Sequence, residues 1–127
     1  MDWLAERQTR IEQKLAKRHL QEGCLVMYDL TSVWMEGRHC PRAKRGYSRD
    51  GKNGKLPIEF GLLCNRDGCP VATQVFDGNT ADPTTVGDQI YVLKQRFGLS
   101  KVVLVGDRGM LTEARIRARR IRLDQCP

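Results

Sequence analysis

Two stretches of the chain are apolar almost without interruption. Cys24-Leu25-Val26-Met27-Tyr28 leads into Asp29-Leu30-Thr31-Ser32 and on to about Trp34, and Val102-Val103-Leu104-Val105 leads into Gly106-Asp107. Runs this short and this rich in branched aliphatics predict strands buried on both faces, as in a parallel sheet. Residues 56–64 and 70–76 read as two further strands, and Asn65-Arg66-Asp67-Gly68 between them offers a glycine for positive φ, which predicts a hairpin. Elsewhere the period changes to that of a helix. Val86, Ile90, Leu93 and Phe97 recur at helical spacing, with Asp82 as N-cap, Pro83 at the first helical position and Gly98 as the stop. Residues 3–22 read as a charged helix with a thin apolar stripe, Leu4, Ile11 and Leu15, closed by Gly23. A stripe so narrow suits an ordinary surface helix, or one that leans on a part of a longer protein. Residues 111–121 have helical composition and lie in a stretch crowded with arginines, Arg115, Arg117, Arg119, Arg120 and Arg122.

The order is therefore helix, strand, hairpin, helix, strand, helix, an α/β chain with no internal repeat. A strand, a hairpin and a helical crossover to a strand beside the first is the topology of a partial ribonuclease-H-like core with a mixed sheet. The N-terminal helix takes residues 1–23 and the core residues 24–127. This topology makes the Asp29 and Asp107 strands adjacent and parallel. Adjacent strand axes lie about 4.8 Å apart, so the two carboxylates can share a divalent cation. Asp29 stands within its apolar run, where an unpaired buried carboxylate costs roughly several kcal/mol and calls for a partner. That partner is either the shared cation or an arginine such as Arg108. Asp107 stands where its strand should end, either as a cap for the next helix or as a functional group.

Composition narrows the partner. The 127 residues suffice for one domain, and the formal net charge of +7 favours an anionic partner, nucleic acid before membrane. No apolar run is long enough to cross a bilayer, and the N-terminus lacks a basic segment followed by an apolar one, so a cytoplasmic location is expected. The five cysteines include no Cys-x-x-Cys pair; Cys24 and Cys64 read as core residues, and His39, Cys40 and Cys69 lack zinc spacing. Residues 36–55 form an irregular segment dense in glycine and cations. Arg42, Lys44, Arg45, Arg49 and Lys52, with Tyr47 among them, are candidate phosphate contacts; solvated disorder is the plain alternative. The DNA-path reading predicts that residues 38–55 are poorly ordered without DNA.

Four motifs in order carry a resemblance. Tyr28-Asp29-Leu30-Thr31-Ser32, Lys44-Arg45-Gly46-Tyr47-Ser48-Arg49-Asp50-Gly51, Gly78-Asn79-Thr80-Ala81-Asp82-Pro83-Thr84 and Gly106-Asp107-Arg108-Gly109-Met110 together resemble the DDE transposases of bacterial insertion sequences. The likeness runs over roughly residues 10–118. It implies that Asp29 and Asp107 match the first and second catalytic acids and metal ligands. Residues 45–51 match the family's Arg-Gly-Tyr-Ser-Arg-Asp-Gly segment. It further implies Mg²⁺ (or Mn²⁺) as cofactor, insertion-sequence ends as DNA partner, and oligomers of the full-length enzymes. Two ions about 3.5–4 Å apart would serve DNA cleavage and strand transfer, with Asp29 bridging both. The family's third acid, a glutamate on a later helix, has no counterpart before Pro127, and Glu113 lies too close to Asp107 to replace it. The sequence also departs from the family after about Ala118. A truncated catalytic core, inactive alone, is the expectation.

Two rivals frame that reading. Asp29-Leu30-Thr31 begins like the nucleophile motif of haloacid-dehalogenase-type phosphatases, but Thr31 stands where that motif needs a second acid. A non-catalytic basic nucleic-acid-binding module shares the charge and does not need Asp29 in a buried strand.

Overall fold

A computed structural model describes residues 2–45 and 55–107. Over them the chain forms α1 (Asp2–His19), β1 (Leu25–Met35), β2 (Leu56–Asn65), β3 (Pro70–Asp77), α2 (Asp82–Tyr91) and β4 (Val103–Val105). The four strands make one mixed sheet in the order β3-β2-β1-β4, antiparallel throughout except for the parallel pairing of β1 with β4. The hairpin turns through Gly68 at φ 82°, as its sequence predicts. The predicted helix at 111–121 lies outside the described residues. Among the described residues no helix is long and apolar enough to cross a membrane.

The core lies on one face of the sheet. Val26, Tyr28 and Leu30 of β1 are buried with Leu63 of β2, Val71 and Phe76 of β3, Val86 of α2 and Leu93 just beyond it. Leu25, Asp29, Thr31 and Val33 alternate to the other face and are exposed. This corrects the expectation of strands buried on both faces. An unbroken apolar run does not reveal whether one or both faces are covered, and here the odd positions of β1 remain open. Gly61 is required beneath the Tyr28 ring, because a Cβ there would lie 2.5 Å from the ring and from its hydroxyl oxygen. The Tyr28 hydroxyl is within hydrogen-bond distance of Thr85 Oγ1, at 2.9 Å, tying the central strand to α2.

The helices also differ in detail from their patterns. The cap of α2 falls on Ala81, one residue before Asp82. Its C-terminal end widens into a π-helical turn over Val92–Arg96, with Phe97 N–H donating to the Val92 carbonyl, before Gly98 at φ 69° ends it. In α1 the deepest residues are Glu12 and Ala16, whereas Leu4 stays 53% exposed. Of the predicted apolar stripe, Leu15 packs against the core and Ile11 is half-buried, so the stripe flanks the anchoring face without forming its centre. Glu12 Oε1 accepts from the Thr73 N–H and from Gln8 Nε2, and Gln8 also donates to the Thr73 carbonyl, all at 3.0 Å. Glu12 Oε2 pairs with Arg96 at 2.7 Å. The helix therefore occupies backbone groups on the outer edge of β3 that would otherwise be open to another strand.

The step from α2 to β4 is set by a hook. Both Glu22 oxygens accept backbone N–H groups, of Ser100 and Lys101, at 2.8 Å each, and these bonds hold its carboxyl below the usual carboxylate range. Gly23 N–H donates to the Lys101 carbonyl and Val103 N–H to the Cys24 carbonyl. β4 consequently starts beside Leu25.

Candidate functional site

The hook determines what stands beside Asp29. Register pairs Leu25 with Val103, Val26 with Leu104 and Met27 with Val105. Run on by two positions, the same register aligns Asp29 with Asp107. Both residues are exposed, and both continue the open-face alternation of their strands. β2 flanks β1 on its other side, with Leu62 opposite Asp29.

Asp29 is exposed rather than buried, which removes one leg of the sequence argument. No desolvation penalty demands a partner for it. What remains is order along the sheet: Asp29 stands on β1, and Asp107 follows two residues after the end of the parallel neighbour β4. Asp29 Oδ1 accepts the Leu30 N–H at 3.0 Å, which fixes one oxygen. Cys64, diagonal to Asp29 across the β1–β2 ladder, has its thiol pushed up by burial, then by Cys69 and by the Asp29 charge. Among the described residues no three His, Cys, Asp or Glu side chains gather as a metal-binding group. Arg108, the alternative partner of Asp29, and Glu113 lie outside the described residues. A hollow of about 650 Å³ on this face is lined by Leu25, Met27 and Val105, and stops short of both carboxylates.

The basic segment divides. Lys44 Nζ pairs with Asp77 Oδ2 at 2.8 Å, and Arg42 Nη1 lies 3.9 Å from Asp77 Oδ1 while donating to the Val75 carbonyl at 3.2 Å. The Lys44 hydrogen bond, with the charges of Lys44 and Arg42, holds the Asp77 carboxyl below its usual range. The backbone is tied as well: Gly78 N–H donates to the Arg42 carbonyl and Lys44 N–H to the Pro57 carbonyl. A Cβ at Gly78 would run into the Pro57 carbonyl oxygen, so the glycine of the Gly78-Asn79-Thr80 motif permits this close approach. Residues 38–45, expected to await DNA, are thus partly fastened to the end of β3. The fastening leaves Arg42 and Lys44 about half exposed, and Arg45 is exposed. Tyr47, Arg49 and Lys52 lie outside the described residues. Asp77 stands two strands across and four residues along from Asp29 in the sheet register.

Sequence reasoning missed two buried carboxylates. Glu12 is one; the other is Glu59, 3% exposed, whose Oε1 accepts from Ser32 Oγ at 2.6 Å. Glu59 stands on the sheet face opposite Asp29 and adds nothing to the pair. The signal for Glu59 was its even spacing with Pro57, Gly61 and Leu63 on the inward side of β2. No protein-family model, curated protein or solved structure matches this chain.

Proposed function

We propose that this chain forms part of the catalytic core of a DNA-processing enzyme of the DDE transposase type, on a ribonuclease-H-like arrangement of strands. Asp29 and Asp107 are its two acids. The observation that supports the reading is the parallel β1–β4 pairing, Leu25 with Val103 to Met27 with Val105, which carried on two residues beyond β4 would set Asp107 level with Asp29.

The donors suit magnesium. Mg²⁺ takes oxygen ligands, keeps several waters, and is commonly held by one or two carboxylates together with substrate phosphate. Asp29 and Asp107 would supply those carboxylates, and their exposure lets a phosphate of bulky duplex DNA reach them. When bound, the ion polarises phosphoryl oxygens and activates the attacking hydroxyl or water. The chain's own residues orient the substrate. The Leu30 N–H holds one Asp29 oxygen in place. Arg42, Lys44 and Arg45 offer cations to the DNA backbone, sequence-independent contacts that fix its position. Tyr47, Arg49 and Lys52 belong to the same segment by sequence.

One observation favours the second reading, a non-catalytic basic nucleic-acid-binding module: the absence of a third ligating side chain near the pair among the described residues. Substitution separates the two. Under the catalytic-core reading, Asp29→Asn and Asp107→Asn each abolish Mn²⁺ binding, measured by calorimetry and by the paramagnetic signal of the bound ion. Metal binding unchanged in both variants, with DNA affinity equal or improved, refutes it. The purified 127-residue chain with linear DNA and Mn²⁺ is expected to yield no nicked or joined product above the Asp107→Asn background. Loss of even one preorganised electrostatic group typically costs roughly 10²–10³ in rate, and two acids leave the site short of a ligand. Turnover above that background would mean that another residue of the chain completes the site.

A further inference from the structure

Helix α1 enters neither the carboxylate pair nor the Arg42–Arg45 segment, yet it carries five exposed cations on one face. Arg7, Arg10, Lys14, Lys17 and Arg18 are all exposed. At 3.6 residues per turn they fall within a sector of about 100°. Trp3, 62% exposed, stands in the same sector with the Arg7 guanidinium 4.7 Å from its ring centroid. Arg7 reaches the adjacent Glu6 at 3.4 Å; the other four cations enter no ion pair among the described residues.

Helix stability does not account for this stripe. Lys17 and Arg18 suit the C-terminal end of the helix dipole, but Arg7, Arg10 and Lys14 lie on earlier turns that gain nothing from it. Like charges at i, i+3 and i+4, as in Arg7–Arg10, Arg10–Lys14 and Lys14–Arg18, repel one another. The opposite face is committed: Glu12 and Ala16 are buried and Gln8 and Glu12 are bonded to β3, so the stripe is held rigidly outward.

We infer that the outward face of α1 is a docking surface for the phosphate backbone of duplex DNA. The stripe runs about 16 Å along the helix axis. A duplex presents on the order of ten phosphate charges over that length. Charge complementarity thus selects a polyanion of regular spacing. An anionic membrane is the lesser fit, because interfacial helices insert a free apolar face beside their basic one. In α1 the large apolar side chains that stand exposed, Trp3 and Leu4, are confined to the first turn, and the face opposite the stripe is packed on the sheet. The inference rests on the DNA reading above for the identity of the polyanion, and adds to it a second contact surface.

The test uses the 127-residue chain and a 30-base-pair duplex of arbitrary sequence, followed by fluorescence anisotropy from about 50 to 200 mM salt, the range over which phosphate contacts dominate. The variant is Arg10→Gln, Lys14→Gln, Lys17→Gln and Arg18→Gln together. Glutamine keeps helix propensity, and circular dichroism and thermal melting verify the fold. Each phosphate contact contributes about 0.9 to the slope of log affinity against log salt, so losing four flattens it by about 3 to 4. A pair of reversals, Lys14→Glu with Lys17→Glu, weakens binding further at low salt. An unchanged slope in the quadruple variant, with binding still lost on substitution of Arg42, Lys44, Arg45 and Arg49, overturns the helix surface and leaves the DNA reading standing. No DNA binding by the unsubstituted chain overturns both. Binding to phosphatidylserine vesicles that matches the DNA affinity and needs the same four residues overturns the assignment to DNA.

Discussion

Glu12 is the residue on which the position of α1 depends most. Its carboxylate serves three groups: the Thr73 N–H, the Gln8 amide and the Arg96 guanidinium. Replacing it with alanine removes them together. Breaking a buried ion pair by deleting one partner costs about 3–5 kcal/mol. The Arg96 side chain is 28% exposed, however, so water recovers part of its solvation. A figure of about 1–2 kcal/mol for the charge follows, with about 1 kcal/mol more for the Thr73 N–H left on a half-covered sheet edge. Glu12→Ala is thus expected to cost about 2–3 kcal/mol in all. Glu12→Gln keeps an oxygen for Thr73 and should cost about 1–2 kcal/mol. In a chain of this length each kcal/mol moves the melting temperature by about 3–5 °C, and urea denaturation with a fixed m value gives an independent figure. Adding Arg96→Met to Glu12→Ala should restore part of the loss, since the uncompensated charge goes with it. A Glu12→Ala loss below about 0.5 kcal/mol, the level of an ordinary surface substitution, would show that the helix is held by apolar contact alone.

Gly61→Ala puts a methyl group into the Tyr28 ring and forces it off Thr85; a loss of about 2–3 kcal/mol by urea denaturation is expected, and a neutral result would mean the ring has room to tilt. Asp77 has a depressed carboxyl, so its contribution is present above the ordinary aspartate range and disappears as pH falls through the lower folded-state value. Protection of the Lys44 and Gly78 amides, measured as exchange relative to the intrinsic rate at each pH, should therefore fall below about pH 4, and Asp77→Asn should remove the dependence. Identical protection factors at pH 5 and pH 2.5 would disprove the anchoring role of Asp77.

Local pattern carried a large part of the architecture. The positions of β1, β2, β3 and α2, the turn at Gly68 and the stop at Gly98 follow from periodicity and from backbone freedoms that a few neighbouring residues decide. The adjacency of the Asp29 and Asp107 strands followed from element order, because a helical crossover from a hairpin returns its strand in parallel to the first. Pattern could not say which face of β1 is covered, since Leu25, Met27 and Val33 are as apolar as Val26 and Leu30. That depends on where α2 lands, and it leaves Asp29 in solvent. Nor did the stripe of Leu4, Ile11 and Leu15 disclose how α1 is held. Its anchor joins Glu12 to Thr73 and Arg96, far apart in the chain, through a backbone edge and an ion pair that hydropathy does not record. The start of β4 beside Leu25 likewise waits on Glu22 gripping the Ser100 and Lys101 amides, and the grip on Arg42 and Lys44 waits on Asp77 across two loops. Polar contacts of this kind are made between segments brought together by the fold, so only tertiary structure decides them.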